Sequence, residues 1–148
     1  NGLYHSLKLD KRFPKSQRFG EYNLTFVNPD KICSVDCVMG AFMLVPRSVI
    51  DRVGLLDEDY FMYGEDIDWC YRIKQAGYQI IYYPEVRIFH YKKASGIGKR
   101  NPKVIEAFYD SMIIFYNKHY QGKYSKVTTG TVFLGTKIMK KIALAKNR

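Results

Sequence analysis

The chain has 148 residues, 47% hydrophobic and 26% charged, with a formal net charge of +10. That is one domain's worth of sequence, long enough to bury a core. Its apolar runs, such as Ala41 to Val45 and Ile80 to Tyr83, are too short to cross a bilayer, which excludes a membrane-spanning segment. The chain opens at Asn1 with no initiator Met and no basic-then-apolar leader, so it reads as a piece of a longer protein, soluble or peripheral. Cys33, Cys37 and Cys70 lack C-x-x-C spacing and are odd in number, which suggests free thiols in a reducing compartment, used as small apolar fillers. The charge is unevenly placed. Residues 1–86 hold ten Lys or Arg against twelve Asp or Glu, a balance of −2, and residues 87–148 hold fourteen against two, a balance of +12. Such a cationic last third expects phosphate, on nucleic acid, on lipid head groups or on a substrate.

Residues 1–31 carry Pro14, Gly20 and an Asn28-Pro29-Asp30 turn signal with no sustained period, and read as loop and short extended pieces. Ile32 to Val45 reads as a strand bent at Gly40. Pro46 opens a short helix to Val53 that Gly54 stops. Leu55 to Gly64 reads as a loop, followed by an amphipathic helix from about Glu65 to Ala76 closed by Gly77. Gln79–Tyr83 and Val86–His90 are β-branched and aromatic runs either side of Pro84-Glu85, predicted as two strands with His90 at a strand end. Lys92 to Asn101 is a basic, glycine-containing loop. Pro102 opens the longest helix, with Val104, Ile105, Phe108, Met112, Phe115 and Tyr116 as its apolar stripe before Gly122. Beyond it, Leu134, Ile138, Met139, Ile142 and Ala145 interleave with Lys137, Lys140, Lys141 and Lys146, an amphipathic basic tail.

The segment Tyr63-Gly64-Glu65-Asp66-Ile67-Asp68-Trp69 places three carboxylates at the start of a helix. Exposed backbone N–H groups there favour negative charge. Two readings stay open: the acids cap the helix, or they form a site able to accept a proton or face a cation.

Three segments together resemble a known family. They are Val35-Asp36-Cys37-Val38-Met39-Gly40-Ala41-Phe42-Met43-Leu44-Val45-Pro46-Arg47, then Val53-Gly54-Leu55-Leu56-Asp57-Glu58-Asp59-Tyr60-Phe61-Met62-Tyr63-Gly64-Glu65-Asp66-Ile67-Asp68, then Ile88-Phe89-His90. They are similar to the acceptor-side half of glycosyltransferase family 2, above all its bacterial rhamnosyltransferase-type members, over residues 32–120. The resemblance implies the C-terminal part of a GT-A, Rossmann-like α/β domain: a mixed sheet with helices packed on it in residues 1–121, and a basic helical tail in residues 122–148. It implies an inverting transferase in which Asp66 is the general base with Glu65 beside it. Asp36, Gly40 and Ala41 would bind the acceptor, and His90 would be a ligand of Mg²⁺ or Mn²⁺. Where relatives usually carry Trp after the acid, this chain has Cys37.

The resemblance also implies a nucleotide-sugar donor, held mostly by a half that lies upstream, and a glycan or lipid-linked acceptor on the cytoplasmic face of the plasma membrane. Asp57-Glu58-Asp59 and Asp66-Ile67-Asp68 match the family's Asp-x-Asp donor motif literally, but lie in the wrong segments to be it. The fragment is therefore expected to be inactive alone. Three other functions remain in view. The basic tail could grip an anionic membrane surface. Tyr interleaved with Lys in Tyr116–Tyr124 could stack on nucleic acid, which ranks low because no base-reading motif accompanies them. Glu65, Asp66, Asp68 and His90 could form an oxygen-rich metal site of a hydrolase.

Overall fold

In a computed structural model of the chain, residues 8–21, 23–90 and 101–147 are described. They fall into two compact units, Asn1–Cys33 with Ile81–Arg87, and Ser34–Ile80 with Ile88–Arg148.

In the first unit two one-turn helices, α1 (Leu9–Arg12) and α2 (Gln17–Gly20), pack together. The expectation of loop throughout residues 1–31 missed both, because a single turn is too short to display an apolar period. Ser16 starts α2, its Oγ accepting the Phe19 N–H at 3.4 Å. Asp10 is buried and satisfied locally, accepting from the Lys11 N–H and from Asn23 Nδ2, both at 2.9 Å. The Phe13 and Phe19 rings meet at 5.6 Å.

Two three-residue strands, β1 (Cys33–Val35) and β2 (Ile80–Tyr82), pair as a two-stranded sheet. Both are shorter than the apolar runs that suggested them. Residues 36–45 leave β1 as irregular chain, and the expected bent strand from Ile32 to Val45 ends at Val35. Val86–His90 forms no strand either. A β-rich run becomes a strand only against a partner edge, and among the described residues that segment has none; Phe89 is 97% exposed. The expected basic loop over Lys92–Arg100 lies outside the described residues.

The second unit is mainly helical and follows its local start and stop signals. Pro46 precedes α3 (Arg47–Val53), and Gly54 ends it with φ +86°. Gly64, φ +90°, precedes α4 (Glu65–Gln75), and Gly77, also φ +90°, follows it. Asn101 caps α5 (Pro102–His119), its Oδ1 accepting the Lys103 N–H at 3.0 Å. Ser125 caps α6 (Lys126–Lys146) by accepting from Thr128 N–H at 3.1 Å. Val35, Val49, Tyr60, Trp69, Cys70, Ile73 and Ile80 are buried around α3 and α4, and Ile105 and Tyr116 are the buried apolar residues of α5. α5 and α6 pack side by side: the Tyr116 ring lies 5.4 Å from that of Phe133, and its hydroxyl hydrogen-bonds Thr129 Oγ1 at 2.8 Å. Tyr116, Tyr120 and Tyr124, proposed above as stacking platforms, contact one another's rings. The fold is thus α/β with helices dominant and a minimal sheet.

Candidate active site

The first turn of α4 is placed by Gly64. A β-carbon there would come within 3.1 Å of Ser111 Cβ and of the Tyr60 ring, so this glycine lets the helix start pressed against α5. The backbone conformation, φ +90°, is one that L-residues avoid. Glu65 and Asp66 follow at once, partly exposed.

Asp66 is held from two sides. Its Oδ1 accepts the Ile67 N–H at 2.8 Å, and its Oδ2 accepts the Gly40 N–H at 2.8 Å. A β-carbon on Gly40 would sit 3.2 Å from Asp66 Cβ and 3.4 Å from Oδ2, closer than most side chains tolerate. The approach of backbone to carboxylate therefore depends on a residue with no side chain. Two further contacts continue this one along α4. The Cys37 thiol lies beside Cys70 and donates to the Val38 carbonyl at 3.3 Å, and Asp36 forms an ion pair with Lys74. Residues 66, 70 and 74 are one helical turn apart, so the segment from Asp36 to Gly40 runs down a single face of α4. This is why it leaves the sheet: its polar groups are satisfied by a helix rather than by a strand. The neighbouring Cys70 thiol and burial push the Cys37 thiol up, while the Cys37 thiol and the Val38 backbone pull Cys70 down to about 7. Ala41 is exposed in the turn that follows.

Glu65 carries one oxygen, Oε2, that is buried with no hydrogen-bond partner in the described structure. An orphaned carboxylate oxygen is costly, and it lies in the residue adjacent to Asp66.

Asp68, the third acid of the motif, does something else. It is fully buried and accepts from Arg72 Nε at 2.7 Å and from the Tyr60 hydroxyl at 3.3 Å, with His119 Nε2 at 2.6 Å. Burial and the Asp68 charge push the Tyr60 phenol well up. Arg72 spends its other donors on the carbonyls of Val53 and Leu55, each at 2.8 Å, and Trp69 Nε1 reaches the carbonyl between them, Gly54, at 2.9 Å. Asp68 is therefore a structural carboxylate and drops out of the oxygen-rich metal set considered for a hydrolase. His119 and Tyr60 were not picked out from the sequence. The only sequence signal for this cluster was the i,i+4 pair Asp68 and Arg72.

Asp57 and Asp59 both pair with Lys118, which holds the Asp57 carboxyl below the usual carboxylate range. A literal Asp-x-Asp at this place is spoken for by a lysine. His90 is exposed in the irregular segment after β2, with no hydrogen bond or ion pair to Glu65 or Asp66 among the described residues. Among those residues no three His, Cys, Asp or Glu side chains come together as a metal site, so the groups described here do not by themselves fit a bound divalent cation. None of their helices is long and apolar enough to cross a membrane.

The family model described as glycosyltransferase like family 2 matches residues 5–104. The chain is 35% identical over 88 residues to an N-acetylglucosaminyl-diphospho-decaprenol L-rhamnosyltransferase of Mycobacterium tuberculosis, covering 60% of this chain and 28% of the relative. It is 47% identical over 57 residues to rhamnosyltransferase WbbL of Escherichia coli, covering 38% and 22%. To the low-salt glycan biosynthesis hexosyltransferase Agl10 of Haloferax volcanii it is 39% identical over 46 residues, covering 31% and 15%. The chain thus spans about a quarter of the length of the first two relatives. No solved structure matches it. The match over residues 5–104 takes in more than half of the chain, and the chain belongs to the glycosyltransferase-like family 2.

Proposed function

We propose that this chain is the acceptor-side part of an inverting glycosyltransferase of GT-A fold, transferring a hexose of rhamnose type from a nucleotide-diphospho-sugar to a glycan or lipid-linked acceptor. The observation that carries this reading is the Asp66 carboxylate at the start of α4, fixed by the N–H groups of Gly40 and Ile67, each at 2.8 Å. The likeness to two rhamnosyltransferases supports the substrate class.

In this proposal an acceptor hydroxyl attacks the anomeric carbon on the face opposite the diphosphate. The new carbon–oxygen bond forms as the bond to the diphosphate oxygen breaks, the electron pair leaves with the diphosphate, and the hydroxyl proton passes to Asp66. Each Asp66 oxygen has one N–H donor and so retains a second lone pair for that proton. The same two donors fix its orientation, which general-base catalysis requires. Glu65, with its unpartnered Oε2, would accept a hydrogen bond from a second acceptor hydroxyl. Gly40, Ala41 and Asp36 would form the floor on which the acceptor rests. Members of this family commonly use a divalent metal. We assign His90 as one ligand to Mg²⁺ or Mn²⁺, with the others supplied from outside the described residues; bound there, the ion would neutralise charge on the departing diphosphate. The nucleotide pocket would lie mostly in the part of the protein upstream of this chain, so the chain alone would not turn over. Free thiols at Cys33, Cys37 and Cys70 support placing the reaction in the reducing cytoplasm.

The test is Asp66→Asn in the whole enzyme. The expected outcome is a kcat lower by ~10² to 10⁴ with donor KM little changed. Activity within a few-fold of wild type would remove Asp66 from the role of base.

A further inference from the structure

The side of α6 that faces α5 and the side that faces away are both defined by contacts. Thr129, Phe133 and Lys140 mark the inner side: the first two meet Tyr116, and Lys140 pairs with Asp110 at 2.9 Å. At 100° per residue, Val127, Leu134, Ile138 and Ile142 fall on the opposite side, as one continuous stripe. They are 79%, 61%, 48% and 49% exposed. Thr131 interrupts the stripe in sequence but not in polarity, because its hydroxyl donates to the Val127 carbonyl at 3.0 Å within the helix. Lys137 and Lys141 line one edge of the stripe and Lys146 the other. Beside Lys146 a groove of about 550 Å³, lined by Ile105, Tyr109, Met139, Ile142 and Ala143, extends the apolar surface.

An apolar stripe edged by lysines on the outer side of a helix leaves few choices of partner. Two copies meeting face to face would bring Lys137, Lys141 and Lys146 against their own equivalents, with no acid after Asp110 in the sequence to offset them. A surface of lipid phosphates reverses that sign: the lysines meet anionic head groups while the four aliphatic side chains enter the interface between head groups and acyl chains. The helix is 21 residues long, roughly 30 Å, and with its lysines it lies on such a surface rather than spanning it.

From this geometry we propose that α6 is a membrane-surface helix that docks on anionic phospholipid through Val127, Leu134, Ile138 and Ile142, with Lys137, Lys141 and Lys146 on the head groups. This goes beyond the transfer reaction and does not depend on it, since lipid binding is read without donor or acceptor.

The test is flotation of the whole protein with vesicles of phosphatidylglycerol and phosphatidylcholine in equal parts, and with phosphatidylcholine alone, at ~0.1 M salt. Binding is expected to the first and not the second. Replacing Lys137 and Lys141 by Gln is expected to weaken it about 30-fold and to flatten its salt dependence. Replacing Leu134, Ile138 and Ile142 together by Asn is expected to abolish it, with the far-ultraviolet circular dichroism of the folded protein retained. Equal binding to both vesicles, binding to neither, or a triple variant that binds as wild type would each overturn the proposal. So would a dimer in sedimentation equilibrium that the triple substitution disperses, in a protein that does not float.

Discussion

The backbone N–H of Gly40 points at the carboxylate of Asp66, 26 residues away in sequence and 2.8 Å away in space. Because the contact is made by main chain, no side-chain substitution at position 40 can replace it. Any side chain there can only disturb it. Gly40→Ala puts a carbon 3.2 Å from Asp66 Cβ, so the loop or the carboxylate must give by a few tenths of an ångström. The expected result is a small loss of stability, under ~1 kcal/mol, together with a fall in kcat of about ten-fold or more in the whole enzyme. Urea unfolding and steady-state kinetics on the same variant separate the two. A variant with intact kcat would mean that Asp66 does not need this donor.

Asp68 and His119 are joined at 2.6 Å inside the protein. Asp68→Ala leaves Arg72 and His119 facing an uncompensated gap, and is expected to cost ~3–5 kcal/mol. His119→Phe keeps the ring volume and its contacts with Tyr71 and Phe115 while removing one donor, for a loss of ~1–3 kcal/mol. A double-mutant cycle by chemical denaturation should return a coupling of at least ~0.5 kcal/mol. Additive losses would show that the pair does not act as one unit.

Gly64→Ala combines a φ of +90° with a β-carbon 3.1 Å from Ser111 Cβ. Strain and overlap add, so a loss above ~2 kcal/mol is expected. Adding Ser111→Gly should recover only the Ser111 share of the overlap, because the Tyr60 ring is equally close and the backbone strain remains, and calorimetry on the two variants can resolve that share.

The Lys118 ammonium lowers the Asp57 carboxyl and is itself raised by Asp57 and Asp59. For an acid lowered in the folded state, the stabilisation is fully present above its unfolded value, ~3.9, and is lost as pH falls through the lower folded value. For the lysine, it is present below ~10.4 and lost as pH rises through the raised value. The pair is partly exposed, so the effect is at most ~1 kcal/mol. Midpoints of urea unfolding for wild type and Lys118→Met should differ at neutral pH and converge at both acid and alkaline extremes. A gap independent of pH would assign the lysine's effect to packing over the Tyr60 ring.

Cys70, pulled down to about 7 by Cys37 and Val38, should show as a thiolate that absorbs in the ultraviolet at neutral pH. In Cys37→Ala that titration should move upward, since the neighbouring thiol that holds the thiolate is gone. An unchanged titration would place the cause in the backbone.

The helices of the second unit were legible because their boundaries are chemical and local, whereas the two single turns of the first unit were not. Pro46 with Gly54, Gly64 with Gly77, and Asn101 with Pro102 each put a special residue at a turn of chain that needs it. The strands were not. Ile32–Val45 and Val86–His90 have the composition of strands, but a ladder is decided by the neighbouring chain, and residues 36–40 found α4 instead. In the candidate site the sequence pattern located Glu65, Asp66 and Gly40, which the structure brings into one place. The run of acids by itself does not separate Asp68 from Glu65 and Asp66, because three neighbouring acids look alike until one is seen turned inward; only the family resemblance left Asp68 out of the site. The partner that turns it, His119, lies 51 residues further on.

Residues 53–64 are pinned at intervals. Arg72 and Trp69 grip the carbonyls of Val53, Gly54 and Leu55, Lys118 clamps Asp57 and Asp59, and Gly64 is wedged against Ser111. Between the last two fixings, Phe61 is 80% exposed. Insertions or swaps around Phe61 and Met62 would lengthen the span without shifting either anchor, so Glu65 and Asp66 would keep their bearing. A lineage can thus vary the length and chemistry of that bend while inheriting the placement of both carboxylates unaltered.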